Sequence, residues 1–477
     1  MAMGGKSKKY LVWWIAGAVI LALALSAGGY FGYYAFRGID KISNVPEKFS
    51  KFALDPSTLP KDFKKAVKAI RKAQKWDLHR ADIKSDSSDP ASLIRLKMTR
   101  AMLEKSYDLG SAFLVKNQTP EGNFYYQYDW ISKTYDPSDH QTRQAGALWG
   151  VALCYQHKQT PEAKAVLDKG LKYFFDRTIE GPEKSLLFKY KNDPKMISGT
   201  IALVGLSIIE YLRTDQSLPP DYKKELTQKL EGYLNFLKWM QLDNGHFSKE
   251  YTIDGKERSK KWLGYYDGES LLCLCKAAKY LGYKDLIPVI EKAARATAEF
   301  YTVTSWKKKQ DPDETKSFYQ WGSMSYLEYV DAGWKDADLF ADVTLALSWW
   351  MVHTHEVLKK GRNTAYALEG LISAYHIADK RKDIKAMVDL LYAIDRNFDK
   401  LTAWQVGGPL AKENPFLVAN PTDDKMAIGG VMNEKDKAPL RIDVTQHQMH
   451  SVIMALDYAY KSGSDFSSAK LPADKDD

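Results

Sequence analysis

From Ala91 to about residue 461 the chain repeats one pattern, a stretch of apolar residues at helical spacing followed by a connection, twelve times over. Strand-like runs of Val and Ile are scarce. The twelve stretches alternate in character. One set runs over about 92–116, 161–176, 221–241, 285–303, 336–358 and 383–397. The other, over about 142–157, 197–213, 267–281, 321–331, 363–379 and 444–461, is richer in Ala, Gly and Leu, as in Ala145-Gly146-Ala147-Leu148. Small residues let a helix crowd neighbours on both sides, so the second set reads as inner helices and the first as outer ones.

Six such pairs predict an all-α fold, an (α/α)6 toroid over 91–462, with a polar tail over 463–477. Connections from inner to outer helices are short. Those from outer to inner are long at 117–141, 177–196, 242–266, 304–320 and 398–443, and short only at 359–362. Long structured loops in a compact domain carry function. All of these emerge where the inner helices begin, which predicts a cleft at that end. Six helix N-termini there favour an anionic ligand group.

Two of the long loops begin alike. Gln118-Thr119-Pro120-Glu121-Gly122-Asn123-Phe124 matches Gln241-Leu242-Asp243-Asn244-Gly245-His246-Phe247, both as Gln, three residues, Gly, one residue, aromatic. The glycine reads as a left-handed helix stop with the aromatic packing back. The hairpin number, these turns and the helix starts resemble the six-hairpin toroid superfamily. That superfamily includes glycoside hydrolases, polysaccharide lyases, N-acylglucosamine 2-epimerases and the C-terminal domain of glucuronyl C5-epimerases. The turn motif also occurs in terpene cyclases and prenyltransferases, but the chain has no run of clustered aspartates and no Cys/His zinc constellation. Its three cysteines, Cys154, Cys273 and Cys275, sit in apolar helices as core thiols. No metal and no cofactor are expected.

The net charge of +9 belongs to the N-terminal segment: residues 1–75 hold 14 Lys and Arg against 4 Asp and Glu, and the rest of the chain sums to −1. A near-neutral body gives no reason to expect nucleic acid. After a basic tail over 1–10, Leu11 to Gly29 runs uncharged, with Trp13, Trp14, Tyr30 and Tyr33 at its ends. That length and those aromatics predict a transmembrane signal anchor over 11–36. The preceding lysines put the N-terminus in the cytoplasm and the body in the periplasm or outside the cell. Cleavage after a signal peptide is the competing reading. Residues 37–90 read as a basic juxtamembrane stalk, with Phe63, Val67 and Ile70 on one face of a basic amphipathic helix near lipid.

Four groups of candidate residues fall at the expected cleft end. The first is Tyr125, Tyr126, Tyr128, Asp129, Asp139, His140 and Arg143, where aromatic faces suit sugar rings and Arg143 suits a carboxylate. In the second, Tyr266, Asp267 and Glu269, the acids are either helix-cap groups or a general acid and base. The third is Asn363, Tyr366 and Glu369, the last inside an apolar helix and so in need of a partner. The fourth, Arg441, Asp443, His447 and His450, puts Asp443 and both histidines on one helix face, with Asp443 as cap, and Gln405 and paired glycines nearby. It is similar to the Arg-x-Asp stretch followed by His in glucuronyl epimerase toroids. His353 and His355 read as structural or solvated.

These features lead to a membrane-anchored carbohydrate-active enzyme. Asp443, His447, Asp267, Glu269 and Tyr266 are its candidate catalytic groups. Arg143, Tyr126, Tyr128, Tyr366, Glu369, Gln405, Arg441 and His450 are its candidate substrate contacts. The substrate expected is a polysaccharide or oligosaccharide, uronate-containing ones included, and the reaction is hydrolysis, elimination or epimerisation. The alternative is a non-catalytic glycan-binding or scaffold subunit of an envelope polysaccharide assembly.

Overall fold

The computed structural model describes residues 58–76, 90–94 and 96–461, which belong to one compact unit. The expected anchor over 11–36 and the polar tail over 463–477 lie outside the described residues. Among those described, no helix is long and apolar enough to cross a membrane.

Helix α1 is Phe63–Ala73. Six outer helices follow: α2 (Arg100–Lys116), α4 (Pro161–Phe175), α6 (Pro220–Met240), α8 (Ile287–Ala298), α10 (Ala337–His353) and α12 (Ile384–Ala403). They alternate with six inner ones: α3 (Gln141–His157), α5 (Ser198–Thr214), α7 (Gly264–Leu281), α9 (Asp313–Asp331), α11 (Ala365–Arg381) and α13 (Ile442–Tyr458). Each inner helix packs on the next, and α13 returns to α3, so the inner ring is closed. Inner helices are buried nearly all round, which is why they need glycine: Gly205 faces Cys273, and Gly268 faces Trp321, each too closely for a side chain. Outer helix α4 buries one stripe, Ala163, Val166, Leu167, Gly170, Leu171 and Phe174, whereas α10 and α12 are buried over most of their length.

Several boundaries differ from the sequence expectation, two of them where helices meet the inner ring. Helix α9 begins at Asp313, well before residue 321, because Asp313 and Glu314 suit the first turn of a helix. Helix α8 continues through a π-turn, Glu299–Thr304, which turns Tyr301 toward the inner ring.

The long loops carry eight short strands: β1 (Gln127–Asp129), β2 (Thr134–Asp136), β3 (Thr178–Glu180), β4 (Leu186–Phe188), β5 (Lys195–Ile197), β6 (Glu250–Thr252), β7 (Glu257–Arg258) and β8 (Pro439–Arg441). They make three antiparallel sheets, ordered β2-β1-β8, β3-β4 and β5-β6-β7. The first joins the first and last long loops and sets Gln127 opposite Arg441.

The described part of the expected stalk is docked on the toroid. Phe63, Ala66, Val67 and Ile70 of α1 are buried, α1 packs on α10, and Gln74 Nε2 donates to Ala346 O at 3.1 Å. The apolar face assigned to lipid is therefore occupied by protein.

Candidate functional site

A cavity of about 640 Å³ opens at the N-terminal end of the inner ring, and all six inner helices line it from their first turns. Trp321 of α9 meets Trp149 of α3, directly across the ring, with centroids 5.5 Å apart, and the pair closes the axis beneath the cavity.

At its base the fully buried Glu369 of α11 receives two imidazoles from α13. His447 Nδ1 lies 3.1 Å from both carboxylate oxygens and His450 Nδ1 lies 2.8 Å from Oε1. Burial pushes the Glu369 carboxyl up, but His447 and the bonds from both histidines outweigh it and hold the group below its usual range. Burial likewise pushes His447 down, and Glu369 with Asp443 outweighs it, so His447 holds its proton to higher pH than a free imidazole. With Nδ1 engaged, Nε2 is the ring nitrogen left to a ligand. His450 does not line this cavity. It lines a smaller one, about 140 Å³, at the other end of the ring. One helix face thus serves both ends, and two turns separate Asp443 from His450 along it.

Asp443 is not a side-chain cap. The residue before α13 is Arg441, and Asp443 sits in the first turn, clasped by that arginine through Nε at 3.0 Å and also through Nη2. Arg143 Nε lies 3.5 Å from the same carboxylate. Burial raises Asp443, and Arg441 and Arg143 outweigh it, so the carboxyl stays ionised below the ordinary range. Arg143 also donates to the Tyr126 hydroxyl, and both guanidinium groups lie over the Tyr126 ring, at 5.2 and 5.8 Å. The β1–β8 pairing positions this cluster, with Ile442 N donating to Tyr126 O at 3.1 Å.

Glu269 behaves in the opposite way. It is buried in the wall from α7, Oε2 has no hydrogen-bond partner, and burial pushes the carboxyl well above its usual range. Tyr266 beside it is pushed up to about 12 by burial and by Glu269. Three more buried polar atoms of cavity residues lack partners: His140 Nδ1, His355 Nε2 and Gln446 Nε2. Each such atom costs about 1–3 kcal/mol unless a ligand satisfies it. Tyr366 completes the wall at the start of α11.

Asp267, Tyr126, Tyr128 and Gln405 do not line the cavity, and Glu369 lies behind His447 without lining it. Asp267 is neither cap nor acid at the cleft: its carboxylate is fully buried and meets His246 Nδ1 at 2.6 Å, Phe247 N at 2.7 Å and Tyr301 Oη at 2.7 Å. It holds the turn after α6 to the start of α7. Gln144 does the same for the other turn, accepting from Phe124 N at 2.7 Å. Tyr128 donates to Asp424 and packs against Tyr135 with the two rings tilted and their centroids 4.7 Å apart. Gln405 is buried and donates to Ser106 O at 3.0 Å and Gly429 O at 3.1 Å.

Lys316, Lys360, Arg362, His355 and Gln446 line the cavity without having been singled out as ligand contacts from sequence. The lysines and Arg362 carried no motif. His355 was expected on an outer helix over 336–358 as a structural or solvated residue, but the helix stops at His353 and His355 lines the cavity from the loop beyond it. Among the described residues no group of three or more His, Cys, Asp and Glu is arranged to hold a metal ion.

No family model matches the chain, and no curated protein matches it in sequence. Solved structures do match in shape. A cellobiose 2-epimerase from Bacillus thermoamylovorans is 11% identical with a TM-score of 0.54, over 75% of this chain and 98% of that one. A D-mannose isomerase is 13% identical with a TM-score of 0.53, over 75% and 97%. An unsaturated glucuronyl hydrolase specific for heparin is 10% identical with a TM-score of 0.50, over 75% and 97%. At these identities the likeness speaks for architecture, and with the closed ring described above it places the chain in the six-hairpin (α/α)6 toroid fold.

Proposed function

We propose that the chain is a carbohydrate-active enzyme that performs acid–base chemistry on an anionic glycan, with a uronate as the charged unit. The observation that carries this reading is the pairing of opposite protonation preferences in one cavity. Glu269 is an unpartnered carboxyl kept neutral by burial, and His447 is an imidazole backed by an ionised carboxylate. In this reading His447 exchanges a proton with the sugar through Nε2, and Glu369 fixes the tautomer and steadies the imidazolium. Glu269 donates to the oxygen on which negative charge develops. Arg143, already half-exposed beside Asp443, grips the carboxylate of the sugar. The unpartnered atoms of His140 and Gln446 suit hydroxyl groups. The similar folds, a cellobiose 2-epimerase, a D-mannose isomerase and an unsaturated glucuronyl hydrolase, act on sugars, which supports the substrate class.

The place of action is proposed from the sequence: an anchor over 11–36 holds the cavity outside the cytoplasm, within reach of an envelope polysaccharide and the proteins that assemble it. Protease treatment of spheroplasts tests this, since a protected body reverses the orientation.

The reaction is tested by incubating the full-length chain with uronate polysaccharides in deuterated water. Deuterium at a ring carbon reports epimerisation, an unsaturated uronate reports elimination, and new reducing ends report hydrolysis. His447→Ala and Glu269→Gln should each abolish the signal. Binding without any of the three products leaves the non-catalytic glycan-binding subunit as the function.

A further inference from the structure

We propose that Lys316, Lys360 and Arg362 form a second anion subsite in the cleft, so that the ligand is a glycan carrying negative charge on more than one sugar. The inference rests on the glycan reading above and extends it to the opposite wall.

The ring order sets the geometry. Arg143 stands on α3, and Lys316 stands on α9, three places further round a ring of six and therefore directly across the mouth. Lys360 and Arg362 come from the loop before α11, next to α9. All three line the cavity. The two cationic groups differ in their counter-charges. Arg143 and Arg441 share Asp443. Among the described residues neither Lys316 nor Lys360 has a carboxylate within ion-pair distance, and Arg362 has Glu434 at the limit, 4.0 Å away. Asp311 lies in the same neighbourhood but is bonded to His355 Nδ1 at 2.8 Å.

Burial lowers the Lys360 ammonium pKa; Asp311 and Glu356 act against it, and Lys316 adds to it. An independent observation points to the same ligand. His355 is 6% exposed, and its Nε2, turned to the cavity side of its bond with Asp311, has no partner. Two lysines without an ion-pair partner among the described residues, the Arg362 guanidinium and the free imidazole nitrogen of His355 line one cavity. A carboxylate or sulfate on a sugar one or more units from the reacting one pairs with the three cations, and a hydroxyl of the same sugar donates to His355 Nε2.

The test is calorimetric binding to the full-length chain of a short oligogalacturonate, a heparin oligosaccharide and a neutral mannan oligosaccharide of equal length. Lys316→Gln and Lys360→Gln, both partly exposed sites, should each weaken the charged ligands about tenfold and leave the neutral one unchanged. A loss confined to the heparin oligosaccharide identifies sulfate as the group, and a loss with both identifies carboxylate. Equal loss for the neutral ligand, or none for any, overturns the subsite. A second measurement separates this from the glycan reading: the rate at which acetic anhydride modifies Lys360, with inorganic sulfate or free galacturonate present. Protection in a chain that binds no oligosaccharide supports the subsite and removes the glycan reading. Absence of protection by either anion overturns the subsite.

Discussion

Gly199 lies against the carboxyl of Glu269: a methyl group at residue 199 would stand 1.9 Å from Oε2 and 2.6 Å from Cδ1 of Tyr266. The missing side chain on α5 is what gives the acid of α7 its place. Gly199→Ala should therefore displace Glu269 from the wall, at a cost of about 1–3 kcal/mol for overpacking. Turnover should fall far more than that stability loss explains. Urea unfolding and activity measured on the same samples check this, and an unchanged rate would remove Glu269 from the chemistry.

Glu269→Gln should stabilise the protein at neutral pH. The sign follows from linkage. The folded-state pKa of Glu269 is raised, so the folded chain binds more protons than the unfolded one once pH exceeds about 4.3, the unfolded value. Stability contributed through this group therefore falls as pH rises through that window. Glutamine removes the titration, so its melting temperature should exceed that of the wild type at pH 7 and converge with it toward pH 4. Loss of turnover with a gain in stability marks a functional acid. Loss of both would make it structural.

Glu369→Gln should do the reverse. It leaves His447 and His450 facing an amide in place of a carboxylate, and breaking a buried pair costs about 3–5 kcal/mol. The pH dependence has two edges. Glu369 is depressed, so its contribution is present above its unfolded value and fades as pH falls through the folded one. His447 is raised, so its contribution is complete below about 6.5 and fades as pH rises through its folded value. Wild-type stability should show both edges in a pH series of melting curves, and the variant should show neither. Wild-type edges in Glu369→Gln would place the titrating groups elsewhere.

The ring was legible because helical period and residue size are local properties: the alternation of small-residue stretches with others, with unequal connections, is written in consecutive residues. Arg143, Glu269, Asp443 and His447 were legible for the same reason, since each falls within the first turns of an inner helix. The pairing of Glu369 with His447 and His450 was not, because 78 and 81 residues separate the partners. Sequence showed only that a carboxylate in an apolar helix needs a partner. Asp267 was misplaced because an acid at a helix start looks alike whether it turns to the cleft or back to its own loop, and here Phe247 N and Tyr301 decide it. Lys316 and Lys360 were hidden because both fell in segments expected as loops, where lysine is ordinarily solvated; Lys316 in fact opens α9, and only the closing of the ring brings the two to one cavity.

Gln405 closes a third copy of the turn that sequence shows twice. Gln118 Nε2 donates to Gly122 O and Val166 O, Gln241 Nε2 to Gly245 O and Val289 O, and Gln405 Nε2 to Gly429 O and Ser106 O. In each copy the glycine has a positive φ, 106°, 93° and 94°, and presses on a backbone carbonyl of the next outer helix, at Lys169, Lys292 or Leu109. The residue two beyond it donates its N–H to a side chain of the following inner helix: Phe124 to Gln144, Phe247 to Asp267, Val431 to Thr445. In the third copy 24 residues separate Gln405 from Gly429 where the others have 4, so the pattern cannot be read along the chain. The expected contact of Gln405 with substrate gives way to a clasp between neighbouring hairpins. Gln405→Leu strands two buried carbonyls, at about 1–3 kcal/mol each. It should lower the urea midpoint by about as much as Gln118→Leu or Gln241→Leu, with the slope unchanged. KM should stay at the wild-type value at temperatures where the variant is folded. A raised KM with an unshifted midpoint would return Gln405 to the binding site.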